Sequence, residues 1–176
     1  MAIWNDADTP LAYLISVRTY GTWLHGDERG SVDRFMNKYG SPLIPRRDLR
    51  HNYNQSVMKG EAVILNAQQR KAVEEAIREV CMHRRWNLPA VNVRTNHLHA
   101  VAVTPGLKPD KALNAFKAYA TRKMRAYGCW TSDRTPWVDK GSERWLWNET
   151  SVACACEYVV NGQGCDLRDF DGWGNA

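Results

Sequence analysis

Asn96-His97-Leu98-His99-Ala100-Val101-Ala102-Val103 sets two histidines two residues apart inside an apolar run. In a β-strand, residues i and i+2 leave from the same face. Both imidazoles therefore project side by side, while Leu98, Ala100 and Ala102 line the opposite face. Two imidazoles fixed on a rigid strand hold a divalent metal when a third ligand comes from elsewhere. An arbitrary H-x-H is more often one structural and one incidental histidine, so the surrounding chain has to decide.

Immediately upstream, Val91-Asn92-Val93-Arg94 alternates as a second strand, and Thr95-Asn96 is a tight connection. Two strands this close form an antiparallel hairpin. Before it, Asn66-Ala67-Gln68-Gln69 reads as a capping box. Val73, Ala76, Ile77, Val80 and Cys81 follow at i, i+3, i+4, i+7 and i+8, which predicts an amphipathic helix over 67–85. Pro89 interrupts between that helix and the second strand. After the histidines, Pro109 and Gly128 bracket another helix with Leu113, Phe116, Ala120 and Met124 as its apolar stripe. Lys111, Lys117, Arg122, Lys123 and Arg125 spread over its remaining surface.

Leu11 to Tyr20 is rich in β-branched and aromatic residues and predicts a first strand. The stretch 21–58 breaks every pattern and reads as a long functional or insertion loop. Residues 129–143 read as a further loop, and Arg144-Trp145-Leu146-Trp147 as a short edge strand. Asn148 or Thr150 then caps a last helix over 151–160, with Val152, Cys156, Val159 and Val160 inward and Gly162 and Gly164 at its end. The order β, loop, α, β, β, α, β, α predicts an α+β, ferredoxin-like (split βαβ) antiparallel sheet. Helices should pack on one face, with the histidine strand in the centre.

The bulk numbers fit one domain over 1–176, with a 24–58 insertion and a polar 165–176 tail. Net charge is +5, by itself a weak pointer to a polyanion partner. Of the eight tryptophans most should be core or interface residues, while a few exposed ones could stack on unpaired bases. No apolar run approaches the ~20 residues of a membrane span, and the first residues lack a secretory pattern. Five cysteines without C-x-x-C spacing indicate neither a disulfide framework nor a zinc knuckle. Reduced thiols and a cytoplasmic setting are expected.

A metal on His97 and His99 would still need a nucleophile. There is no G-x-S-x-G elbow and no phosphate-cradling glycine loop. Cys154 and Cys156 lie in an apolar helix, where thiols behave as small hydrophobes. Two tyrosines, Tyr119 and Tyr158, sit on helices. A phenol attacking a phosphodiester gives a phosphotyrosine that preserves the bond energy for rejoining. Its pKa of ~10 demands help from a metal or positive charge.

Three stretches together resemble the single-tyrosine HUH transposases, in their REP-associated tyrosine transposase-like branch. The first is Thr19-Tyr20-Gly21-Thr22-Trp23-Leu24 running into Gly26 to Arg34. The second is Asn96-His97-Leu98-His99. The third is Gly141 to Trp147 followed by Glu157-Tyr158-Val159-Val160-Asn161-Gly162-Gln163-Gly164. The resemblance implies a ferredoxin-like domain, usually dimeric, with Mg²⁺ or Mn²⁺ on His97 and His99 and with Tyr158 as nucleophile. It implies cleavage and rejoining of single-stranded, hairpin-forming DNA through a 5′-phosphotyrosine. The family's third ligand, an amide about one turn after the tyrosine, would fall on Gly162, which has no side chain to offer. Asn161 and Gln163 flank it, and Gln163 is expected as the ligand because the helix should unwind at Gly162. Lys117, Arg122 and Lys123 are the expected DNA contacts, and the 24–58 loop a candidate for hairpin recognition. Two rivals share these features: a non-cleaving module that binds single-stranded nucleic acid, and a zinc hydrolase using His97, His99 and a distant carboxylate.

Overall fold

A computed structural model describes residues 9–25 and 44–164. The polar lead-in, most of the 24–58 loop and the 165–176 tail lie outside the described residues. The elements run β1 (Ala12–Arg18), α1 (Asp48–Ser56), α2 (Ala67–Arg84), β2 (Asn87–Val93), β3 (His97–Val103), α3 (Pro109–Ala126), β4 (Ser142–Leu146) and α4 (Glu149–Asn161). The class is α+β, with one four-stranded sheet in the order β2-β3-β1-β4 and every neighbouring pair antiparallel. The histidine strand is internal, as its apolar character predicts. None of the described helices is long and apolar enough to cross a membrane.

Alternation along the strands divides the core in two. Tyr13, Ile15 and Val17 of β1 join Leu98, Ala100 and Ala102 of β3 under α2 and α3. Ala12, Leu14, Val101 and Leu146 form a smaller cluster with Ala155 and Val159 of α4. Helices thus cover both faces of the sheet, which corrects the expectation of one. Val101 is completely buried on the histidine face, and an apolar side chain there needs a cover that α2 and α3 cannot supply. Burying a Val or Leu side chain of this kind contributes ~1.5–3 kcal/mol.

The capping box forms as predicted: the Asn66 side chain accepts from Gln69 N–H while the Gln69 side chain accepts from Asn66 N–H. The predicted α2 stripe is buried throughout. On α3, Pro109 occupies the first turn, and Leu113, Phe116, Ala120 and Met124 all point inward. Asn148 caps α4 by accepting from Ser151 N–H at 2.8 Å.

Three expectations are corrected. Strand β2 does not start at Val91 but runs through Pro89, because it is an edge strand with a register shift between Asn87 and Ala90, where a missing N–H is tolerated. A helix, α1, lies inside the stretch read as loop; none of its residues is buried, so no apolar period announced it. Val160 is 58% exposed, because α4 turns Ala155 and Val159 to the sheet.

Candidate active site

The β2–β3 turn is held from outside the hairpin. Asn96 carbonyl oxygen accepts from Thr19 N–H (2.9 Å) and Thr19 Oγ1 (3.0 Å), while Leu65 N–H donates to Thr95 oxygen at 2.7 Å. Thr19 is fully buried there. The strand end that starts with His97 is therefore tied into the body of the protein.

The two imidazoles stand side by side with ring centroids 4.8 Å apart. Each is oriented through Nδ1. His97 Nδ1 meets Asn96 Oδ1 at 2.7 Å, and His99 Nδ1 meets Ser16 Oγ at 2.6 Å across the strand pair. Such outer partners fix tautomer and ring angle and leave Nε2 to ligate. His97 Nε2 faces Gln163 Oε1 at 3.0 Å. The Gln163 amide is oriented by Nε2 donating to Tyr158 oxygen at 3.0 Å. A neutral imidazole donates from one nitrogen only. With Nδ1 donating to Asn96, the lone pair on Nε2 looks at an amide oxygen, and a cation placed between them would satisfy both.

His99 is held as the neutral imidazole. Burial pushes its pKa down to about 4, and the neighbouring His97 ring and Arg18 guanidinium act in the same direction. A neutral ring is the state that ligates metal. Among the described residues no third histidine, cysteine, aspartate or glutamate joins the pair, so the carboxylate of a zinc hydrolase is not found there. The donors at hand are two imidazoles and an amide oxygen, a mixed N/O set that suits Mg²⁺ or Mn²⁺ as well as Zn²⁺.

Tyr158 stands next to this set. Its ring lies 5.4 Å from the His99 ring in a T-shaped contact, and the residue is 46% exposed. Helix α4 is set at this height by Val159, which is fully buried, and by Asn92 Nδ2, which donates to Val159 oxygen at 2.9 Å. Asn92 is the β2 partner of His99. Past Tyr158 the helix closes with Gly162 N–H on Tyr158 oxygen (2.9 Å). A Cβ on Gly162 would fall 2.6 Å from that oxygen and 2.9 Å from Tyr158 Cδ2. The position one turn after the tyrosine thus has no room for a ligating side chain, and the next residue, Gln163, reaches His97 instead. Asn161 turns away and donates to Glu157 at 2.8 Å.

The expected DNA contacts are not brought to this cluster. Lys117, Arg122 and Lys123 lie on α3, across the sheet from the histidines. Lys117 Nζ donates to the carbonyls of Val138 (2.8 Å), Asp139 (2.8 Å) and Lys140 (3.3 Å). Arg122 stacks on Tyr119, and Lys123 pairs with Glu79. Tyr119 is itself packed against the α2–α3 core. The sequence reading missed Ser16, Arg18, Asn92 and Arg94, which share the histidine face. Strand alternation gave each a face, but only the register shows which of them neighbours His97 or His99.

Residues 56–156 match the family described as transposase, IS200-like. The chain belongs to this family. The matched part of the IS200-like transposase holds the histidine pair and stops two residues before Tyr158. Two solved structures are similar. One is a REP-associated tyrosine transposase bound to a REP hairpin, at 14% identity and TM-score 0.46 over 86% of this chain. This chain spans 65% of the length of that protein. The other is a Deinococcus radiodurans protein described as a transposase, at 13% identity and TM-score 0.49, with 94% of this chain and 100% of that one covered. No curated protein sequence matches the chain.

Proposed function

We propose that this IS200-like transposase cleaves and rejoins single-stranded, hairpin-forming DNA with Tyr158 as nucleophile, on a ferredoxin-like domain. The observation that carries the reading is the convergence of His97, His99, Gln163 and Tyr158 from two elements far apart in the chain. The strand order β2-β3-β1-β4 with βαββαβ connectivity supports the ferredoxin-like assignment.

His97, His99 and the Gln163 amide oxygen would hold a divalent metal, Mg²⁺ or Mn²⁺, which would polarise the scissile phosphate and neutralise its charge. The protein's own residues do the rest. Ser16 and Asn96 keep both rings turned for ligation. Tyr158 Oη, with its ring open to solvent, loses its proton and attacks phosphorus. A bond from Oη to phosphorus forms while the bond from phosphorus to the 3′ oxygen breaks, and the departing oxygen takes up a proton. The product is a 5′-phosphotyrosine and a free 3′-hydroxyl. Attack by a second 3′-hydroxyl reverses the step and joins strands.

The test is covalent trapping of labelled single-stranded hairpins with Mg²⁺ or Mn²⁺, read as an SDS-stable adduct. Wild type should form it, and Tyr158→Phe and His97→Ala should not. An adduct that survives in Tyr158→Phe removes Tyr158 from its role. Binding without any adduct across a broad hairpin pool would leave a non-cleaving DNA-binding module instead.

A further inference from the structure

His97 stands in the middle of a three-residue row across the sheet. Arg18 of β1 is its partner on one side. On the other, Arg94 N–H donates to His97 oxygen at 2.8 Å, which continues the β2–β3 register by one pair. Paired residues of antiparallel strands project from the same face. Two arginines therefore flank His97 on the face that α4 shares. The next row, Asn92–His99–Ser16, carries no fixed charge, and the one beyond, Ala90–Val101–Leu14, is covered by α4. Fixed positive charge on these three strands is confined to the row at the open end of the face, where Gln163 crosses to His97.

The flanking arginines are placed rather than merely nearby. Arg18 Cζ lies 3.4 Å from the centroid of the Trp23 ring, a cation–π contact that orients the guanidinium. Arg94 extends toward the chain end of α4, its terminal nitrogen 4.0 Å from where a Cβ on Gly164 would sit. Among the described residues no carboxylate joins the two histidines in a metal-binding group, and the two arginines bring positive charge to either side of His97. A guanidinium takes two phosphate oxygens at once, which an ammonium does not.

We propose that Arg18 and Arg94 form a two-sided phosphate clamp that seats the sugar–phosphate backbone across β1, β3 and β2, with the scissile phosphate over His97. The inference deepens the proposed function and rests on it. Two strand spacings put the arginine Cα atoms roughly 10 Å apart, so the two guanidiniums grip the backbone on opposite sides of the cleavage point. This gives the strand a direction across the sheet that the metal ligands alone would not impose.

The experiment measures binding of full-length protein to fluorescent dT20 in EDTA, with log Kd followed against log [KCl]. One phosphate contact on a single strand contributes about 0.7 to the slope. Arg18→Gln and Arg94→Gln should each lower the slope by about that amount and weaken binding on the order of tenfold. Arg18→Lys should keep the slope and lose part of the affinity. Arg78→Gln, the same charge change on an α2 residue paired with Glu74, should alter neither. Unchanged slopes in both arginine variants, or equal losses in Arg78→Gln, overturn the clamp. If the slopes hold while wild type forms the hairpin adduct, the clamp fails and the tyrosine chemistry stands. If the slopes fall but no adduct ever forms, the clamp stands and the tyrosine chemistry fails.

Discussion

Acid should unfold this protein partly through one ring. Burial, and after it the neighbouring His97 and Arg18, lowers the His99 pKa in the folded state from 6.5 to about 4. In the unfolded chain the ring returns to ~6.5. Between those values the unfolded state holds a proton that the folded state does not, so unfolding gains as pH falls. The contribution of His99 is fully present above pH 6.5. It is lost progressively as pH drops toward 4. At ~1.4 kcal/mol per pH unit the whole displacement amounts to about 3 kcal/mol. Urea titrations in chelator from pH 7.5 to 4 would measure it, with His99→Gln as reference because carboxylates and other histidines titrate equally in both proteins. Wild type should lose about 3 kcal/mol more than the variant over that range. Parallel profiles would refute the argument and mean that the folded protein accepts the proton on His99 at no cost.

Three further perturbations separate the parts of the site. Ser16→Ala removes the oxygen that orients His99; titration calorimetry should show Mn²⁺ affinity lower by on the order of 10–100-fold, and unchanged affinity would deny Ser16 that role. Gly162→Ala pushes a methyl against the Tyr158 carbonyl and ring; the adduct rate should fall on the order of 100-fold while dT20 affinity stays constant. Lys117→Met strips three carbonyls of the loop after Pro136 of their shared donor; stability in urea should drop by about 1–3 kcal/mol, and the salt dependence of DNA binding should not move.

The parts of the fold legible in the sequence are those where one periodicity dominates. His97 and His99 share a face because strand alternation leaves no choice, and α2 and α3 declare themselves through an apolar stripe with a cap at one end. Gln163 draws notice for a different reason: the family resemblance expects an amide where Gly162 stands, and the fold sets the neighbouring Gln163 amide oxygen 3.0 Å from His97 Nε2. What escaped depends on partners distant in sequence. Ser16 is a polar interruption in an apolar strand, and only the register with β3 shows that it faces His99. Arg18 and Arg94 look like ordinary strand-end charges until three strands are aligned. Lys117 reads as a DNA contact because its helix is basic, and only the fold shows its ammonium donating to backbone carbonyls. Helix α1 escaped because it buries nothing.

The alternation of β3 has a consequence for how this protein can change. Every residue from 97 to 103 serves one side only: Leu98, Ala100 and Ala102 pack under α2 and α3, and His97, His99, Val101 and Val103 serve the face toward α4. Substitutions on the packed side can accumulate without touching the imidazoles. A single residue inserted or deleted just after His99 would turn both histidines into the core and Leu98 out toward Tyr158. Drift by replacement is open to this strand, and drift by length is closed.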